Sequence, residues 1–250
     1  MCLILFGLNA HPAYRLIVAA NRDEFHRRPT AGIHVWEDAP IVGGRDLEAG
    51  GTWLGVAAHA PRMAAVTNVR DGVAEPAVGK RSRGRLPTVF LSGTQPAAAA
   101  AADLVAQAGE YAPVNLLVDD GSQTWWATNH PTPQRRQVSD GVHGLSNGQL
   151  DEPWPKLTRG TAALAALLDA EPGALLAMLH DTDRAQPSAL PQTGVTAEME
   201  EGLSAMFVDL GDYGTRASTI LRLRPDGSGD LTERRFDAAG ETGTVTLTLG

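Results

Sequence analysis

The chain's single cysteine is residue 2, and the polar tetrad Asn21-Arg22-Asp23-Glu24 follows soon after. Removal of Met1 would leave a thiol and a free α-amine on the same residue. Their unperturbed pKa values, about 8.5 and about 7.7–8.0, make the amine a base poised near neutral pH beside a nucleophile. One class of covalent catalysis uses that pairing. A second reading stays open: a lone cysteine at the head of the apolar run Leu3-Ile4-Leu5-Phe6 also suits a buried structural thiol.

Several other side chains suit the same chemistry. Asp23 is a candidate partner for the Cys2 amine through a charge-assisted hydrogen bond. Asn68, in Thr67-Asn68-Val69-Arg70, and Asn147, in Gly144-Leu145-Ser146-Asn147, are neutral amide donors suited to a developing oxyanion. Arg216, in Tyr213-Gly214-Thr215-Arg216, carries a fixed charge that favours a thiolate, as does Arg22. The sequence therefore predicts a Cys2 thiol titrating below its free value. Each position also has an ordinary reading as a turn residue or surface ion pair. The sequence has no HExxH, no Cys/His cluster, no GxSxG and no glycine-rich phosphate loop after a strand, and its seven histidines are scattered. No cofactor and no metal site are expected.

The elements that must position these residues read as strands in blocks and helices in pairs. Cys2–Leu8 and Arg15–Ala20 form a hairpin turned at Asn9-Ala10-His11-Pro12, whose open end brings Cys2 beside the tetrad. Trp53–His59 and Arg62–Val69 form a second hairpin. Asp71–Arg85, with Lys80, Arg81, Arg83 and Arg85 together, reads as a solvated loop or an anion-binding lid. Helices are expected over Arg85–Ser92 and Ala97–Ala108, the second capped by Thr94, and over Lys156–Ala170 and Pro172–His180. Further strands are expected at Asn115–Asp119, Thr124–Thr128, Gln137–Ser139, Val142–Ser146, Met206–Leu210, Ala217–Leu223, Leu231–Phe236 and Val245–Leu249, with a polar excursion over Thr182–Thr196. This order is α+β, with two antiparallel sheets face to face and helix pairs outside. With no internal repeat and no long linker, a single domain over 1–250 is expected.

Composition narrows the partners. A net charge of −8 and a pI near 5.3 argue against nucleic acid. No apolar run approaches a spanning helix, and the first segment lacks the basic start of a signal peptide, so a cytoplasmic protein is expected. The expected partner is a small acyl-type molecule.

Taken in order, Met1-Cys2, Asn21-Arg22-Asp23-Glu24, Gly51-Thr52-Trp53-Leu54-Gly55, Val66-Thr67-Asn68-Val69-Arg70, Gly144-Leu145-Ser146-Asn147, Trp154-Pro155-Lys156 and Tyr213-Gly214-Thr215-Arg216 resemble the NRDE family, which includes the transport and Golgi organisation protein 2 homologues. The resemblance implies a four-layer αββα sandwich of the N-terminal nucleophile (Ntn) hydrolase kind. More distantly the chain is similar to choloylglycine hydrolases and penicillin V acylases, which cut amide bonds with an N-terminal Cys. That similarity implies Cys2 as nucleophile, Asp23 as its partner, Asn147 as oxyanion donor, Asn68 as a second oxyanion position and Arg216 as the late arginine. Where the acylases carry an early arginine this chain has Ala20, which leaves Arg22 to stand in for it. The implied function is amidohydrolase or acyltransferase. The rival is a binding or trafficking protein for acyl-CoA, lipid or haem, with Trp125, Trp126 or the Lys80–Arg85 cluster as ligand contacts.

Overall fold

A computed structural model describes residues 2–72 and 79–250. Met1 and the middle of the Asp71–Arg85 segment lie outside these, so neither the expected loss of Met1 nor that part of the loop is described.

Cys2–Leu8 (β1) is buried along its whole length because both of its faces are covered. Ile4, Phe6 and Leu8 point into one apolar cluster and Leu3 and Leu5 into another. The period of two along a strand makes that split, and a continuous apolar run is its sequence signature. β1 pairs antiparallel with Leu16–Phe25 (β2), and the sheet continues through Tyr213–Leu223 (β11), Gly229–Asp237 (β12) and Gly240–Leu249 (β13). Gly141–Leu145 (β10) flanks β1 on the other side, giving the order β10-β1-β2-β11-β12-β13. The second sheet runs in chain order: Thr30–Val35 (β3), Ile41–Asp46 (β4), Leu54–Ala57 (β5), Met63–Asn68 (β6), Val114–Asp119 (β7), Thr124–Thr128 (β8) and Gln134–Gln137 (β9).

The inner faces of the two sheets bury one cluster that includes Phe6, Val18, Met63, Leu117, Trp126 and Leu221. Helices Arg85–Ser92 (α1) and Ala97–Ala106 (α2) cover the outer face of the seven-stranded sheet through Phe90, Leu91 and Leu104. Pro155–Ala166 (α3) and Pro172–Leu179 (α4) cover the six-stranded sheet through Leu157, Leu164, Leu175 and Leu179. The expected α+β, four-layer αββα order is therefore present. No helix among the described residues is long and apolar enough to cross a membrane.

The differences from the sequence reading have local causes. β2 runs to Phe25, so the tetrad lies inside a strand rather than after one; pairing with β11 on its far side supplies the ladder that its polar residues lack as a strand signal. β3 and β4 were not foreseen, since Gly32, Gly43 and Gly44 interrupt the alternation. Met206–Leu210 is not a strand and keeps only an isolated bridge, Asp209 to Gly214. The polar excursion is followed by a short helix, Ala197–Gly202 (α5), capped by Thr196. Thr94 does not cap α2: the Ala97 amide donates to Asp120 Oδ2 at 2.8 Å instead. Trp126 is buried and donates to Asn115 Oδ1, which removes it as an exposed ligand contact, whereas Trp125 is half-buried against the outer cluster.

Candidate active site

Register places the nucleophile candidate. Cys2 lies directly opposite Arg22 across the β1–β2 ladder, and Arg22 lies opposite Ala217 on β11. Residues directly opposite one another share a face of the sheet. Cys2, Arg22 and Ala217 all line one cleft, between the two sheets at the open end of the first hairpin. The tetrad alternates through the sheet. Arg22 and Glu24 face this cleft, whereas Asn21 turns to the helical layer and donates to Leu179 O at 2.9 Å and Met206 O at 2.8 Å. Asp23 shares that helix-side alternation and also borders the cleft.

Cys2 is 8% exposed. Burial pushes its thiol above the usual range and the Asp23 charge adds to this, while Arg22 and the Asp23 backbone N–H, which donates to the sulfur, work the other way. Burial thus raises the thiol in the chain that still carries Met1, whereas the expected depressed thiol belongs to the form in which Cys2 bears its own α-ammonium. Asp23 is itself buried and its carboxyl is raised, with burial opposed by Lys156, the Thr215 hydroxyl and Arg22. Thr215 Oγ1 donates to Asp23 Oδ1 at 2.7 Å, and the Tyr213 hydroxyl donates to the Asp23 carbonyl at 3.0 Å. Asp23 is therefore held from the β11 side.

Lys156 opens α3 and is 2% exposed. Its ammonium donates to Leu203 O at 3.0 Å. Burial brings it down to about 8, with Asp23 and Cys2 pulling in the opposite sense. It is one of two lysines in the chain, the other being Lys80, and in the sequence it stands out only as the end of the Trp154-Pro155-Lys156 motif.

The two asparagines play different parts. Asn68, at the end of β6, lines the cleft, and its amide makes no hydrogen bond among the described residues. Asn147 is fully buried behind it: its amide donates to Asn68 O at 2.8 Å and its carbonyl accepts from Ser146 Oγ at 3.2 Å. Ser146 Oγ also donates to the Cys2 carbonyl at 3.0 Å. Asn147 thus fixes the strand end that carries Asn68, and of the two amides Asn68 faces the open space.

Arg216 does not start a strand. It is the extra residue of a β-bulge between Thr215 and Ala217, a device that re-aims a side chain. Its guanidinium donates to Phe25 O at 2.9 Å, Arg28 O at 3.2 Å and Phe236 O at 3.2 Å, on the wall of the same cleft. Cys2, Arg22, Asp23, Asn68 and Arg216 therefore share one cleft, and Asn147 lies just behind it. Arg83 also lines this cleft and feels the Cys2 charge, with burial pulling its own pKa down. Arg235 and Glu233 border it too, and sequence reasoning had no pattern by which to find them.

The family model for Transport and Golgi organisation 2 matches residues 1–238. A Transport and Golgi organization 2 homolog of Mus musculus is 30% identical over 277 residues, spanning 100% of this chain and 99% of the relative. The homolog of Bos taurus is 32% identical over 278 residues, spanning 99% and 98%, and that of Homo sapiens 31% over 258 residues, spanning 94% and 92%. The chain belongs to the Transport and Golgi organisation 2 family, the same family as that named for the Asn-Arg-Asp-Glu tetrad.

Proposed function

We propose that the chain is a cysteine Ntn amidohydrolase or acyltransferase that works on a small amide or thioester. The observation that carries this reading is the shared cleft of Cys2, Arg22, Asp23, Asn68 and Arg216, built from four strands of two sheets. In the reaction, the Cys2 sulfur attacks the carbonyl carbon and its proton passes to the α-amine exposed by loss of Met1. The negative charge gathers on the carbonyl oxygen, where the Asn68 amide is the donor and Asn147 holds it in place. The C–N or C–S bond then breaks, the amine delivers the proton to the leaving group, and an acyl-Cys2 thioester remains. Water or a second nucleophile accepts the acyl group and frees the thiol.

Asp23 orients the amine in this scheme. Arg22 and the Asp23 N–H stabilise the thiolate that burial otherwise disfavours. Intact mass measurement decides the first requirement: a homogeneous species that keeps Met1, made in a host with normal processing, sinks the mechanism. Trapping of an acyl adduct on Cys2 with amide and thioester substrates, absent in Cys2→Ala, tests the second.

One observation favours the rival reading, a carrier on the same fold: the Cys2 thiol is buried, and burial disfavours its thiolate. A carrier needs only the cleft. Tight binding of acyl-CoA or haem that survives Cys2→Ala, with no trapped adduct in the parent chain, selects it. A haem site using Cys2 as axial thiolate would instead lose its characteristic absorption in that variant.

A further inference from the structure

The row that begins with Cys2 continues across the sheet. Cys2 pairs with Arg22, Arg22 with Ala217, and Ala217 with Arg235, on the four neighbouring strands β1, β2, β11 and β12. All four residues line the cleft. The small Ala217 therefore sits between two guanidiniums, with Arg216 beside it in the bulge.

These charges repel one another. Arg22 and Arg235 both act, after burial, to lower the Arg216 pKa. No carboxylate among the described residues forms an ion pair with Arg216 or Arg235, and Arg22 reaches only Asp46, at 3.6 Å, which Arg28 already holds at 2.6 Å. Arg22 is 5% exposed, and its Nη1 is buried with no hydrogen-bond partner among the described residues. A buried cationic N–H left unpaired beside a cleft is costly unless a ligand completes it. The acids nearby do not fill this place. Asp46 is taken, Glu24 bonds its neighbour's amide at Phe25, and Glu233 sits one row deeper beside Thr219, accepting from the Ile33 N–H. Among the described residues the cleft is lined by eight basic side chains against four acidic ones, in a protein of net charge −8.

We propose that the space over Ala217 is a subsite for one oxyanionic group, a carboxylate or a phosphate, carried by the acyl-transfer substrate and held between Arg22, Arg216 and Arg235. The register also sets a length. Strands lie about 4.8 Å apart, so Ala217 is two spacings, about 10 Å, from Cys2. An extended chain covers that distance in roughly eight covalent bonds. The substrate class is a small amide or thioester whose anionic group lies about that far from the attacked carbonyl. This inference rests on the acyl-transfer reading for the identity of the attacked group, but its test does not.

The test uses iodoacetamides with tails –NH–(CH2)n–COO⁻, their methyl esters, and the corresponding phosphonates, with the rate of Cys2 alkylation as readout. The charged tail should alkylate about tenfold faster than its ester at matched length, peaking near six methylenes. Arg235→Gln and Ala217→Leu, each altering only the proposed subsite, should abolish that preference while the rate with plain iodoacetamide stays the same. The larger of the carboxylate and phosphonate preferences names the ion. Charged and ester tails reacting equally at every length overturns the subsite, as does a preference that survives in Arg235→Gln. A length-dependent charge preference without any acyl-Cys2 adduct supports the subsite and overturns only the acyl-transfer reading.

Discussion

Substitution of Lys156 by methionine isolates the electrostatics beneath the nucleophile. Lys156 is 2% exposed, and its pKa falls from the usual 10.5 to about 8 because burial disfavours its charge. A fall of that size corresponds to about 3 kcal/mol. Below pH 8 the side chain is charged both folded and unfolded, and the folded state carries the whole penalty. Between pH 8 and 10.5 the unfolded chain keeps the proton and the folded chain releases it, so stability rises with pH. Above that range neither state is charged and the penalty is gone. Lys156→Met removes this dependence. The assay is urea unfolding of both proteins from pH 7 to pH 11, in a Cys2→Ala background so that the thiol does not titrate. The parent should gain about 3 kcal/mol relative to Lys156→Met across that span. Parallel curves, within about 0.5 kcal/mol throughout, would falsify the buried, charged Lys156.

Asp23→Ala removes the buried carboxylate that accepts from Thr215 Oγ1 and should cost about 1–3 kcal/mol of thermal stability, while Cys2 alkylation should quicken because the Asp23 charge raises the thiol. Unchanged values for both would show that Asp23 supports neither the fold nor the sulfur. Iodoacetamide labelling of the Met1-bearing protein should titrate above the free-thiol value of about 8.5, in keeping with a thiol raised by burial; a midpoint below it shows that Arg22 and the backbone N–H outweigh desolvation. Asn68→Ala should reduce acyl transfer by about 10²–10³ with Cys2 alkylation intact, as loss of an oxyanion donor does. Equal losses in both measurements would assign Asn68 to structure. Glu200→Gln removes the carboxylate charge to which Arg70 donates at 2.8 Å, with both side chains buried, and should cost about 3–5 kcal/mol in chemical unfolding; a neutral result shows that this ion pair does not hold the corner.

The layers were legible because apolar period survives in the sequence. Leu3-Ile4-Leu5-Phe6 marks a strand covered on both faces, and Leu157, Leu164, Leu175 and Leu179 mark helices that cover it. The tetrad's strand was not legible: Asn21, Arg22 and Asp23 are polar yet buried, and what compensates them is partners far along the chain, Ser218, Asp46 and Thr215. The meeting of Cys2 with the tetrad followed from hairpin pairing alone. The division of labour between Asn68 and Asn147 did not, because both follow strands of similar pattern and only the packed structure shows which amide is spent on a carbonyl. Arg235 escaped for a related reason: its neighbourhood to Cys2 is made by three ladders, none of which leaves a local mark on residues 230–236.

The alternation of the tetrad through β2 makes it a spline between the helical layer and the cleft. Asn21 grips the end of α4 and the Met206 carbonyl on one side, while Arg22 stands in the cleft on the other. Because successive residues must face opposite ways, slipping β2 by one position would exchange the two sets: a guanidinium would enter the leucine-lined helical layer and an amide would face the cleft. The four letters of the motif thus read as a register lock. Any change in the helical layer that shifts the Leu179 or Met206 carbonyl is transmitted, through one rigid strand, to the charge that faces the sulfur of Cys2.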